Sequence, residues 1–290
     1  LIKHYLSNSA SLPYEDVDCF VEDAPGNLWI GTNGGGLIFY DKTSKKYSRF
    51  KHDPENPKSL SNDVIVSLHV DHQNRLWIGT YFGGLERLDG HTFIHYRHND
   101  QLPGSISDDR VYSIFEDSSQ KLWVGTFAGA MNIYDPKTES FMHPHYAMTS
   151  EYTAVIYEDK QKNIWIGRDK GIDIIEKATG AVKHYYNNPK NANSLIDNDV
   201  NSIVQDSRGF FWLGTKDGLS ILNTKTNTFT NVDERKGLPT NSVLNILEDK
   251  SGVMWISTAN GLVSINLSNP HDPNSYQIHK YDEFDGLQGR

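Results

Sequence analysis

The heptapeptide Gly26-Asn27-Leu28-Trp29-Ile30-Gly31-Thr32 decides the fold of this chain, because variants of it return five more times. They are Leu76-Trp77-Ile78-Gly79-Thr80, Leu122-Trp123-Val124-Gly125-Thr126, Ile164-Trp165-Ile166-Gly167-Arg168, Phe211-Trp212-Leu213-Gly214-Thr215 and Met254-Trp255-Ile256-Ser257-Thr258. All six tryptophans lie in these copies, at spacings of 48, 46, 42, 47 and 43 residues. A period in that range marks one supersecondary unit repeated along the chain, each copy relying on its neighbours for burial.

Outward from the tryptophan, each unit reads the same way. Upstream stands a short apolar run ending in aspartate: Val17 to Asp23, Ile65 to Asp71, Val111 to Asp117, Thr153 to Asp159, Val200 to Asp206 and Val243 to Asp249. Its Val, Ile and Phe content predicts an inner strand buried on both faces. A carboxylate placed before a turn bonds turn amides, so the six aspartates read as structural. Downstream, a Gly-rich link opens a third strand, as in Gly36-Leu37-Ile38-Phe39 and Gly84-Leu85-Glu86-Arg87. In the third unit Ala130-Met131 replaces Gly-Leu and predicts a distorted turn. A fourth strand of alternating apolar and polar residues then suits an exposed edge. No helix is expected anywhere.

Four strands per unit of about 45 residues is the pattern of a β-propeller blade. The chain therefore reads as all-β, with six complete blades of four antiparallel strands forming part of a seven-bladed or larger propeller. The expected divisions are 1–13 (the outer strand of a preceding blade, on Ile2-Lys3-His4-Tyr5), blades at 14–59, 60–105, 106–147, 148–194, 195–237 and 238–283, and 284–290 as the start of a further blade on Gly286-Leu287.

Composition narrows the function. A formal charge of -9 without a sustained Lys/Arg block argues against a nucleic-acid partner. No apolar run approaches the ~20 residues of a membrane helix, so no membrane insertion by this piece is expected. The single cysteine, Cys19, excludes an internal disulfide framework and fills a small-residue slot of the inner strand. None of the twelve histidines has metal-site spacing, so neither metal nor cofactor is expected. A catalytic pair is equally hard to find: His69 is the one histidine on an inner strand and has no evident partner.

The fullest copy of the pattern, Asp23 to Asp41, together with the linkers His52-Asp53-Pro54 to Ser59-Leu60 and Phe284-Asp285-Gly286-Leu287, resembles the two-component regulator propeller repeat. That resemblance implies the periplasmic sensor region of a hybrid regulator of the kind found in gut Bacteroidetes. Many such regions detect an oligosaccharide and signal through a neighbouring propeller and a membrane-proximal domain to a histidine kinase, which lies outside this chain. A homodimer is a further expectation. The fragment itself is expected to be no enzyme; the alternatives are a propeller lyase or hydrolase and a protein–protein scaffold. Ser257 for glycine, Arg168 for threonine and Ala130-Met131 depart from the family pattern.

A ligand is expected at the loops that enter the inner strand and join the second strand to the third, where the units differ most. These offer Tyr14, Asn33, Tyr81, Phe82, Arg110, Phe127, Tyr152, Arg168, Asp169, Lys216, Asp217 and Asn260, with Asp109, Asn198 and Asn241 beside them. Aromatic rings to stack on and polar groups to pair with hydroxyls suit a polyhydroxylated ligand. Arg168 and Lys216 favour an acidic sugar.

Overall fold

The computed structural model describes residues 12–129, 131–269, 271–281 and 285. Among these, the strands form six four-stranded antiparallel sheets, each in simple sequence order. They fall into two compact units, one reaching to Tyr146 with Glu151–Thr153, the other holding Ala147–Ser150 and the residues from Ala154 onward.

In the first unit, blade one is β1 (Val17–Glu22), β2 (Leu28–Thr32), β3 (Leu37–Asp41) and β4 (Lys46–Phe50). Blade two is β5 (Ile65–Val70), β6 (Leu76–Thr80), β7 (Leu85–Asp89) and β8 (Thr92–Tyr96). Blade three is β9 (Val111–Glu116), β10 (Leu122–Thr126), β11 (Asn132–Asp135) and β12 (Ser140–Met142). The second unit holds blade four, β13 (Val155–Glu158), β14 (Ile164–Arg168), β15 (Gly171–Ile175) and β16 (Val182–Tyr185), and blade five, β17 (Val200–Gln205), β18 (Phe211–Thr215), β19 (Gly218–Asn223) and β20 (Thr228–Val232). Blade six completes it with β21 (Val243–Glu248), β22 (Met254–Thr258), β23 (Gly261–Leu267) and β24 (Tyr276–Tyr281).

The repeated aspartate ties turn to tryptophan. In blade two Asp71 Oδ1 accepts the amides of Gln73 and Arg75 at 3.0 and 2.9 Å, while Oδ2 accepts Trp77 Nε1 at 2.8 Å. Asp117, Asp159, Asp206 and Asp249 hold Trp123, Trp165, Trp212 and Trp255 in the same way, at 2.8 to 3.0 Å. One carboxylate thus satisfies both a turn and a largely buried indole N–H. In blade one Asp23 spends its second oxygen on Asn27 Nδ2 instead.

Glycine in the tryptophan strand lets blades approach. A Cβ on Gly31 would stand 2.6 Å from Ile65 Cγ2, and one on Gly214 would stand 2.5 Å from Val243 Cγ1, each belonging to the next blade's inner strand. At both places the following blade presses its first inner residue onto bare backbone.

A second tie runs from the third strand to the loop entering its own blade. Ser61 N donates to Glu86 Oε1 (2.7 Å), Ser107 N to Asn132 Oδ1 (2.8 Å), Thr149 N to Asp173 Oδ2 (3.0 Å) and Ile196 N to Ser220 Oγ (3.0 Å). Blades one and six carry Pro13 and Pro239 at the donor position, which have no N–H to satisfy, and their third strands place the buried apolar Ile38 and Val263 there.

Two expectations need correction. The inner strands are not uniformly buried on both faces. Phe20 on β1 is 73% exposed and Leu247 on β21 is 66% exposed, because in these strands one face packs while the other carries side chains that no described neighbour covers. One 3-10 turn, Glu234–Lys236, interrupts the helix-free pattern. Ala130, and the strand and blade fragments expected at Ile2 to Tyr5 and at Gly286-Leu287, lie outside the described residues.

Candidate functional site

Two local devices decide which side chains the loop edge of a blade displays. The first is the residue after the strand-two threonine. Tyr81 N donates to Val64 O (3.1 Å), Phe127 N to Arg110 O (2.9 Å), Asn33 N to Asp16 O (2.9 Å) and Lys216 N to Asp199 O (3.0 Å). Each main chain is pinned to the entering loop, and each of these residues is exposed. The second device is a β-bulge at the start of the inner strand. Thr126 pairs with Val111 and Gly125 with Ser113, so Tyr112 between them is left out of the ladder. A bulge of this kind re-aims the extra side chain, and it recurs between Val17 and Cys19, Ile65 and Ser67, Val200 and Ser202, and Val243 and Asn245.

In the first unit these devices bring five rings and a cation together. Tyr81 meets Phe82 edge to face at 4.4 Å between ring centroids and Tyr112 at 6.3 Å. Tyr112 in turn lies 5.9 Å from Phe127 and 5.5 Å from Tyr152, and Phe127 lies 5.6 Å from Tyr152. Arg110 sits with its guanidinium carbon 4.2 Å above the Phe127 ring. Phe82 is 58% and Phe127 44% exposed, whereas Tyr112 and Tyr152 are half-buried and support them. Spacings of about 4.5–7 Å with tilted or perpendicular planes are favourable for aromatic pairs, so the cluster is ordered without a ligand.

The charge in this cluster is compensated. Arg110 donates from Nε and Nη2 to the two carboxylate oxygens of Asp108, at 2.8 and 2.6 Å. Burial acts to raise the Asp108 pKa, but its hydrogen bonds to Arg110 outweigh this and hold the carboxyl below its ordinary value. Burial and the neighbouring Tyr81 push the Tyr112 phenol up, so it stays protonated near neutral pH.

Other expected site residues take different places. Arg168 is 1% exposed; it occupies the slot that threonine holds in the other blades, pairs with the fully buried Asp173 at 2.7 Å and donates to Ser150 O. It is a structural cation and offers nothing to a surface ligand, which removes half of the argument for an acidic sugar. Asp109, Asn198 and Asn241 accept the amides of His98, Asn187 and Glu234 at 2.7, 2.6 and 2.8 Å, closing the loops between blades. Tyr14 is a half-buried wedge below Gly35, with its hydroxyl on Asn33 O and Arg49 over its ring at 5.1 Å. Asp169, Lys216, Asp217 and Asn260 are exposed in the second unit, where Asp217 accepts from Asn241 Nδ2 at 2.8 Å. Apart from the Tyr14–Asn33 and Asp217–Asn241 pairs, the expected site residues that come together among the described ones are the aromatic residues and Arg110 of the first unit.

A histidine–carboxylate contact stands at the far end of the inner strands. His72 Nδ1 lies 2.6 Å from Glu116 Oε1, and burial lowers the pKa of nearby His69. Glu116 also accepts the His72 amide at 2.8 Å. The same clasp recurs as Lys160 N to Gln205 Oε1 and Ser207 N to Glu248 Oε2, so its role is to join consecutive blades. Cys19 packs below Gly31, and burial pushes its thiol up to about 12, which leaves it unreactive. Among the described residues no helix is long and apolar enough to cross a membrane.

Residues 11–34, 59–82, 105–128, 194–217 and 237–260 match the family described as two component regulator propeller. The blade omitted is the fourth, the one carrying Arg168. None of the curated proteins matches the chain significantly. Among solved structures, the extracellular domain of a hybrid two component system from Bacteroides thetaiotaomicron aligns at 23% identity and TM-score 0.57, covering 92% of this chain and 44% of that one. A second such domain from the same organism aligns at 23% identity and TM-score 0.53, over 98% and 47%. Virginiamycin B lyase from Staphylococcus aureus, in a catalytically inactive form with quinupristin, aligns at 14% identity and TM-score 0.70, over 96% and 86%. These likenesses are of fold, and the chain spans less than half the length of the two extracellular domains.

Proposed function

We propose, from the premise that this chain carries repeats of the two component regulator propeller family, that it is a ligand-sensing part of a hybrid two-component regulator, placed in the periplasm. Its ligand is an oligosaccharide, and the response passes through other domains of the same protein to a histidine kinase outside this chain. The observation that carries the reading is the group Tyr81, Phe82, Tyr112, Phe127 and Tyr152 with Arg110. Exposed rings supported by half-buried ones give a rigid apolar surface bordered by phenols, which packs against the C–H face of a sugar and pairs with its hydroxyls. A ligand held there drives signalling by favouring one arrangement of the whole regulator over another, to the extent that its affinity differs between them.

Thermal denaturation with a panel of oligosaccharides tests this, since a ligand that binds only the folded state adds RT ln(1 + [L]/Kd) to stability. A raised melting temperature that disappears in a Tyr81→Ala, Phe127→Ala double variant supports the proposal; a rise that survives this change places the ligand elsewhere.

The lyase likeness and the His72–Glu116 contact favour a second reading, a carbohydrate- or small-molecule-cleaving enzyme. It is the weaker one, because the equivalent clasps of blades four and five hold no histidine. Cleavage of any panel sugar by the chain, lost on His72→Ala, would revive it.

A further inference from the structure

Resting on the sensor reading above, we infer that the aromatic cluster of the first unit takes a neutral oligosaccharide and discriminates against uronic and sulfated ones. Selectivity for an anionic sugar needs a cation whose charge is free to meet it. The cation that touches these rings is Arg110, and its Nε and Nη2 are both spent on one carboxylate, Asp108. That pair is fork-like and close, so a carboxylate or sulfate approaching the remaining guanidinium N–H groups meets a charge that Asp108 already compensates. The guanidinium is held further by its position above Phe127. Arg168, the other arginine that the loop sequences offered, is sealed against Asp173 in the second unit and faces no surface.

Nearby carboxylates act in the same direction. Glu151, beside Tyr152, is exposed and reaches toward the Gly129 amide at 3.4 Å, and Asp109 adjoins the Asp108–Arg110 pair. The chain as a whole carries a formal charge of -9. Recognition then rests on ring surface, phenol hydroxyls and the N–H groups of a charge-compensated guanidinium, which bind uncharged polyols, while the field around them opposes anions. Selectivity therefore comes from a repulsive element together with an attractive one.

The structure also says how the selectivity is set. Replacing Asp108 by asparagine leaves the side chain's size and its turn contact to the Arg110 amide in place but frees the guanidinium charge. The experiment is isothermal titration of the chain with two matched sets of probes: malto-, cello-, manno- and xylo-oligosaccharides, and oligogalacturonate, heparin and chondroitin sulfate fragments. The expected result is binding to at least one neutral probe, weakened roughly tenfold or more by Phe127→Leu and unchanged as salt rises from about 0.05 to 0.5 M. In Asp108→Asn an anionic probe gains affinity and that gain fades with salt. Circular dichroism and the tryptophan emission of each variant establish that it is folded.

Binding of anionic probes alone, through the same rings, would overturn the inference and leave the sensor reading standing. Absence of binding by either set overturns the inference and, with it, the placing of the sensor site on this unit.

Discussion

Ser61 donates its amide to the fully buried carboxylate of Glu86 at 2.7 Å, and in blades one and six the equivalent pair is Pro13 with Ile38 and Pro239 with Val263. The polar residue on the third strand satisfies this N–H among its contacts, and an apolar residue takes its place where proline removes that N–H. Glu86→Ile alone should therefore cost about 1–2 kcal/mol, the lower part of the range for an unsatisfied donor, because Ser61 is half-buried. Ser61→Pro with Glu86→Ile should recover a large part of it by copying blades one and six. Urea unfolding of the two variants decides the point; equal destabilisation would mean that Glu86 acts through something other than this amide.

His95 gives the same carboxylate a pH dependence. Its ring lies 3.7 Å from Glu86 Oε1, and chiefly through that carboxylate its pKa is raised in the folded chain. A raised folded pKa means that the folded state binds the proton more tightly. The contribution is thus fully present below the unfolded value of about 6.5 and is lost as pH climbs through the folded value above it. The urea midpoint should fall across that window, and His95→Gln should flatten the fall. Because the ring is partly exposed, solvent screening keeps the effect modest.

Gly214 and Val243 test how blades are stacked. A side chain on Gly214 meets Val243 Cγ1 at 2.5 Å, so Gly214→Ser should destabilise by about 1–3 kcal/mol through overpacking. Adding Val243→Ala should relieve part of that loss. Blade six holds Ser257 at the same position, only half-buried, which fits a place where no valine of a following blade is described.

Arg168 and Asp173 form a buried pair, 2.7 Å apart. Burial lowers the arginine pKa against the pull of Asp173. Arg168→Thr restores the threonine of the other blades but takes the buried cation from a carboxylate that is 0% exposed, leaving it Thr149 and His184, and should cost about 3 kcal/mol, the lower end for breaking a buried pair. Arg168→Thr with Asp173→Ser, which copies Thr215 and Ser220 of blade five, should melt closer to the parent chain. A double variant no more stable than the single one would show that the arginine's packing outweighs its charge.

The aromatic cluster was partly legible. Tyr81, Phe82, Arg110, Phe127 and Tyr152 stand in loops that break the repeat, which is the signal that singles them out. Tyr112 was missed because it sits inside a strand, and only the bulge between Val111 and Ser113 turns it toward the others. The column it belongs to, Asp18, Val66, Tyr112, Asn201 and Leu244, varies far more than its neighbours, and that variation was the available clue.

By itself the sequence determined the blade: strand order, tryptophan strand and turn aspartate all follow from periodicity, because each is local to one copy of about 45 residues. Tertiary structure decided what each loop side chain is for. Arg168, Asp109, Asn198 and Asn241 look like ligand groups in one dimension, and they turn inward to satisfy backbone amides and a buried carboxylate. Tyr81, Phe127 and Arg110 look no different, yet they stay at the surface because the main chains of both rings are pinned while Asp108 takes up the charge. Whether a polar side chain faces a ligand or its own backbone depends on which N–H lies within about 3 Å of it, and that distance is fixed between segments far apart in sequence.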